Sequence, residues 1–276
     1  MKRQAYSNFS IENLNIVITG AGGVLCGAMA RELASLGARI AVIDIRGDKA
    51  QETVSQIAAS GGDAYAITCD VTEPGSVKNA LKFVRERWDR VDVLINGAGG
   101  NHPSATSNQD VSFFNLEYKA VQKVLDLNFL GTFLPCQVFG KLMADNGKGI
   151  IVNIASMNSV RPLTRIPAYS AGKAAVANFT KWLAVHMAQE YGPDIRVNAI
   201  APGFFLTEQV RYLLIDPKTG GYTERGERII VHTPMKRMGL PADLLGTLVW
   251  LISPASAFVT GIMVPVDGGF SAYAGV

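Results

Sequence analysis

Long apolar runs are missing from this 276-residue sequence, whose hydrophobic residues come in stretches too short to cross a bilayer. Runs of like charge are missing too. Lys and Arg number 26 against 23 Asp and Glu, so the net charge of +3 leaves no nucleic-acid footprint, while acidic small molecules stay open as ligands. Cysteine is sparse: Cys26, Cys69 and Cys136 are odd in number, far apart and set in apolar surroundings, as reduced core thiols would be. No zinc-ligand spacing occurs, and no metal is expected. Met1 to Asn15 has basic residues but no apolar core of a secretory signal. Neither an internal repeat nor a low-complexity tract is present. These absences predict a soluble cytoplasmic protein with no membrane or nucleic-acid partner, long enough to bury one large core but not a second full domain.

Short apolar runs alternate with stretches of helical period. Leu14 to Thr19, Ala38 to Asp44, Ala64 to Cys69, Val91 to Asn96, Ile150 to Ala155, Arg196 to Ile200 and Ile262 to Val266 read as strands. Val24 to Leu36, Asp48 to Ala59, Gly75 to Trp88, Tyr118 to Met143, Ala168 to Glu190 and a segment from Pro241 to Ile252 read as helices. Continuously apolar strands separated by helices predict an α/β fold, a doubly wound parallel (Rossmann) sheet with helices on both faces. The expectation is one dinucleotide-binding domain over 1–276. Gly99 to Asn115 and Phe204 to Met238 break the rhythm, and since both follow strands they belong at the ligand cleft, the second as a lid over about 204–238.

The first strand ends in Thr19-Gly20-Ala21-Gly22-Gly23, and Val24 and Leu25 open the next helix. Glycines there let backbone approach a pyrophosphate, whose charge the helix N-terminus favours. Asp44, about twenty residues on, is placed to accept hydrogen bonds from ribose hydroxyls. It would repel a 2′-phosphate, which predicts NAD over NADP, although Arg46 offers a nearby cation. Asp70, followed by Val71, reaches the adenine edge or caps its own turn. Asn96, Gly97, Ala98 and Gly99 bring backbone to the cofactor a second time. Tyr169 and Lys173 stand four apart, on one helix face, after Ser156. The pair is either a proton donor or a buried tyrosine beside a lysine that reaches solvent. Acting near pH 7 would require a tyrosine shift of about three units, about 4 kcal/mol, from Lys173 and a bound cofactor cation.

Taken together, these residues resemble the short-chain dehydrogenase/reductase superfamily over nearly the whole chain. Thr19-Gly20, Asp44, Asp70-Val71, Asn96 to Gly99, Asn128, Ser156, Tyr169, Lys173 and Pro202-Gly203 occur in its order and approximate spacing. The resemblance implies a nicotinamide-dependent interconversion of carbonyl and alcohol. It makes Tyr169 the general acid or base, Lys173 its pKa-lowering partner and ribose ligand, Ser156 a donor to the substrate oxygen, and Asn128 the holder of a relay water. It also implies a homotetramer, and Val264 to Val276 could pack on a neighbour or on the cleft. Val24 and Cys26 stand where that superfamily commonly has glycine, which bears on how closely helix, strand and pyrophosphate pack. Gly22 to Cys26, Asn101-His102-Pro103, Ser156-Met157-Asn158, Arg161 to Tyr169 and Ala201 to Thr207 resemble its D-mannonate oxidoreductase (D-fructuronate reductase) branch.

A sugar acid needs a cation for its carboxylate and polar groups for its hydroxyls. Arg161, Arg165 and Arg211 are the candidate cations; Asn101, His102 and Asn158 are the candidate hydroxyl partners, beside Ser156 and Tyr169. The expected reaction is reduction of D-fructuronate to D-mannonate by NADH, reversibly. Two alternatives stay open: another sugar-acid or polyol dehydrogenase, such as a gluconate dehydrogenase, or a dinucleotide-sensing protein without turnover.

Overall fold

This computed structural model describes residues 8–206, 211 and 214–275. Along the chain run β1 (Asn15–Thr19), α1 (Val24–Ser35), β2 (Arg39–Asp44), α2 (Gly47–Ala59), β3 (Asp63–Thr68), α3 (Pro74–Arg85) and β4 (Val93–Asn96). There follow α4 (Tyr118–Leu125), α5 (Gly131–Asn146), β5 (Lys148–Ile154), α6 (Pro167–Glu190), β6 (Asp194–Pro202), α7 (Glu224–His232), α8 (Leu245–Ile252) and β7 (Met263–Val266). All seven strands are parallel, in the order β3-β2-β1-β4-β5-β6-β7. The doubly wound sheet expected from the alternating pattern is present.

In the central strands, side chains alternate between two buried faces, which is why those strands read as unbroken apolar runs. In β1, Ile16 and Ile18 pack with Met29 and Leu33 of α1, Ile57 of α2 and Leu248 and Leu251 of α8. Val17, between them, joins the opposite layer with Val84 of α3, Phe139 and Met143 of α5 and Leu183 and Met187 of α6. After β1 the chain winds toward β2 and β3; β4 starts the other direction. Consecutive loops therefore diverge at the carboxyl ends of β1 and β4, opening a crevice there.

The helix expected over Tyr118 to Met143 is interrupted by a π-helical turn at Asp126–Leu130. Asn128 supplies the cause: its Nδ2 donates to the Val124 carbonyl four residues back, at 2.7 Å, and occupies the acceptor of the regular ladder. After β6, Phe205 pairs with Gly239, Ile215 with Tyr222, and Leu214, Ile229 and Met238 form a small separate core. The described residues of the segment 204–238 thus pack on one another at the crevice end of the sheet. Beyond β7, Asp267 turns the chain by accepting from the Gly269 and Ser271 N–H groups.

Candidate active site

At the carboxyl ends of the strands lies a cavity of about 620 Å³. Its walls include Gly20, Gly23, Val24 and Leu25 after β1, Asp44 at the end of β2, and Asp70 and Val71 after β3. Gly97, Ala98 and Gly99 after β4, Tyr169 on α6, and Gly203 after β6 also line it, all of them positions that motif spacing pointed to.

The β1–α1 turn has the features of an anion cradle. Gly20 adopts φ +69°, and a Cβ on it would lie 2.8 Å from the Ala98 backbone, so any side chain there collides with the next loop. Helix α1 has no side-chain cap and no acidic residue in its first turn, which leaves its N-terminus to an anion. Asp44, 6% exposed, accepts from Gly22 N–H and Arg46 N–H, each at 3.0 Å, and Arg46 Nε lies 3.6 Å from Asp44 Oδ1. A carboxylate so held presents a fixed acceptor beside the glycine turn, and the cation nearest it is drawn to it. These features fit a dinucleotide.

Cys26 does not disturb the turn, because room is made across it. A Cβ on Gly97 would stand 2.1 Å from Cys26 Sγ, so the sulfur occupies space that Gly97 leaves open. Burial pushes the Cys26 thiol up to about 12, and it packs as a small apolar group.

Tyr169 and Lys173 do share a face of α6, with Lys173 Nζ 5.8 Å from the Tyr169 ring centroid. Lys173 is 3% exposed and donates to the Ile154 carbonyl at 2.7 Å. Burial pulls it down to about 8 from its ordinary 10.5. Burial also raises the Tyr169 phenol, and its hydrogen bond with Ser156 offsets part of that rise. Desolvation is the largest influence on both groups, and the ammonium is directed at a backbone oxygen. A protonated phenol beside the Ser156 hydroxyl is a ready donor. Ser156 itself is set by accepting from Asn158 N–H at 3.2 Å, and Ser159 Oγ, donating to the Lys173 carbonyl, ties this loop to α6.

Several candidates sit elsewhere than the sequence placed them. Thr19 Oγ1 accepts from Gly97 and Ala98 N–H, which joins the β1 and β4 loops behind the cavity. Asn96 donates to Asn153 Oδ1 and Cys136 Sγ inside the core, and Pro202 is buried at the end of β6. Asn128 is fully buried, with Nδ2 donating to the Val124 and Gly100 carbonyls and Oδ1 accepting from Gly100 N–H. Its side chain is thereby engaged with backbone. Asp70 Oδ1 accepts from Thr72 N–H and Oγ1, so it caps its turn while bordering the cavity.

The substrate candidates fare similarly. Asn101 borders the cavity but donates to Thr106 Oγ1; His102 Nδ1 accepts from Ser104 N–H on the outside of its loop. Asn158 is buried and accepts from Leu163 N–H. Arg161 is the clearest correction. Its guanidinium donates to the carbonyls of Phe270, Ser271 and Tyr273 and clamps the C-terminal segment in place. Arg165 and Arg211 are exposed and outside the cavity wall. Wall residues that motif reading passed over include Ile45, Leu127, Ile166, Phe204, Phe205, Leu214 and Arg225. Ile45 follows Asp44 directly and was the one within reach of spacing arguments.

The short chain dehydrogenase family profile covers residues 14–217. The oxidoreductase UxuB of Bacillus subtilis, itself uncharacterized, is 49% identical over 269 residues, 94% of this chain and 95% of its own length. A Haemophilus influenzae structure with bound NAD, provisionally named a D-mannonate oxidoreductase, is 45% identical and covers 99% of both chains with a TM-score of 0.91. A gluconate 5-dehydrogenase from Burkholderia cenocepacia, in complex with NADP and tartrate, is 30% identical, with 97% of this chain and 99% of that one covered and a TM-score of 0.85.

Proposed function

The chain belongs to the short-chain dehydrogenase family and is an oxidoreductase acting on alcohol and carbonyl groups; from that premise we propose that it interconverts D-fructuronate and D-mannonate with NAD(H). The observation that carries the reading is one continuous cavity joining the fixed Asp44 carboxylate to Tyr169. A nicotinamide, when bound, supplies or accepts the hydride. The carbonyl oxygen of the sugar acid accepts from the Ser156 and Tyr169 hydroxyls, so negative charge developing on it is met by two donors already in place. Tyr169 then passes its proton to that oxygen, and the Lys173 ammonium stabilises the phenolate left behind. The oxidative direction runs the same steps backward.

NAD is favoured because a 2′-phosphate would face Asp44, whose neighbouring cation, Arg46, is already drawn to that carboxylate. The similarity to a D-mannonate oxidoreductase bound to NAD supports both cofactor and substrate class. Similarity to a gluconate 5-dehydrogenase with NADP and tartrate favours a second reading, another sugar acid in the same cavity. We further propose one domain over 1–276, with 204–238 as its substrate lid, in a cytoplasmic homotetramer. Support for assembly is the aromatic stripe of Phe179, Trp182 and His186 on α6 with Tyr191 just beyond its end, where Trp182 and Tyr191 are exposed. Among the described residues no helix is long and apolar enough to cross a membrane.

NADH oxidation followed at 340 nm tests the reading with D-fructuronate against D-fructose, the neutral ketose. We expect rapid turnover of the acid. Ready turnover of the ketose with none of the acid would overturn the sugar-acid assignment.

A further inference from the structure

We infer that Arg225 supplies the cation that binds the substrate carboxylate, a role that rests on the sugar-acid reading above. Arg225 lies in the first turn of α7 and lines the cavity together with Phe204, Phe205, Leu214 and Tyr169. The helix is held firmly there. Thr223 Oγ1 accepts from Gly226 N–H at 3.1 Å, and a Cβ on Gly226 would lie 2.5 Å from the Leu214 carbonyl oxygen. No ion pair engages Arg225 among the described residues, since the neighbouring Glu224 carboxylate pairs with Arg228. A cation in the first turn of a helix stands at the positive end of the dipole; Glu224 and Glu227 of the same turn offset part of that charge, and an anion in the cavity would offset more.

The other cations near the site are committed. Arg161 is taken by three carbonyls of the C-terminal segment, Arg46 by Asp44, and Lys173 by the Ile154 carbonyl beside Tyr169. The cavity's carboxylates, Asp44 and Asp70, follow β2 and β3, whereas the segment carrying Arg225 follows β6 across β1, β4 and β5. From β6 to β1, whose loop makes the pyrophosphate cradle, is three strand spacings, about 14 Å. Tyr169, on the helix after β5, is adjacent to β6. Arg225, without an ion pair among the described residues, thus belongs to the substrate end of the cavity.

The test measures wild type, Arg225→Gln and Arg225→Lys with D-fructuronate and D-fructose, together with the NADH dissociation constant. The Gln variant is expected to raise KM for the acid roughly 10- to 100-fold, with the NADH constant and turnover of the neutral ketose unchanged and the Lys variant recovering part of the loss. Unchanged NADH binding also shows that the variant is folded. If wild type prefers the acid and Arg225→Gln keeps that preference, Arg225 is overturned while the sugar-acid reading stands. Weakened NADH binding with an unchanged KM for the acid overturns it in favour of a pyrophosphate contact. A wild type indifferent to the carboxylate overturns the sugar-acid reading, and this inference with it.

Discussion

Replacing Lys173 with Met should stabilise the protein at neutral pH while it removes activity. The ammonium is held at 3% exposure with its pKa at about 8, against 10.5 in the unfolded chain. That difference of about 2.5 units is worth about 3 kcal/mol against the folded state wherever both forms are charged, which is below pH 8. Met keeps the length of the side chain but loses the 2.7 Å hydrogen bond to the Ile154 carbonyl, a loss of about 1–2 kcal/mol. The net expectation is a gain of about 1–2 kcal/mol at pH 7. The sign with pH follows from proton counting. Between pH 8 and 10.5 the unfolded wild type binds a proton that the folded form has released, so wild-type stability rises through that window relative to the variant. The Met advantage is therefore full below pH 8 and gone by about pH 10.5. Urea unfolding followed by tryptophan fluorescence, at fixed chain concentration and several pH values, reads the difference directly. A Met variant less stable than wild type at pH 7, or a gap that does not shrink above pH 8, would refute the reasoning.

Two further outcomes follow from close contacts in the dinucleotide crevice. Gly97→Ala should cost about 1–3 kcal/mol, because its Cβ would meet Cys26 Sγ at 2.1 Å, and Cys26→Ala should restore part of that loss by removing the sulfur; additive losses in a thermal-unfolding double-mutant cycle would show that the two do not share space. Asp44→Ala should weaken NADH binding roughly 10-fold or more and NADPH much less, measured by fluorescence titration, since only the former loses an acceptor for its ribose hydroxyls. Equal losses would remove Asp44 from cofactor selection.

The sequence by itself determined the fold and most of the cleft. Apolar runs buried on both faces force a parallel sheet. The glycine turn, Asp44 and the four-residue interval between Tyr169 and Lys173 are local patterns that lead to the same crevice wherever the sheet forms. Three outcomes were left to tertiary structure. The Tyr169 and Lys173 pKa shifts depend on how much water the neighbouring loops exclude, which no local spacing encodes. Arg161 looked like a substrate cation because it lies between Ser156 and Tyr169, yet carbonyls more than a hundred residues away claim it. Arg225, which no motif or spacing singles out, reaches the cavity wall once α7 packs with Gly226 close to the Leu214 carbonyl. Spacing along a chain places residues on a common helix or strand end; which distant group a charge meets is decided when the elements pack.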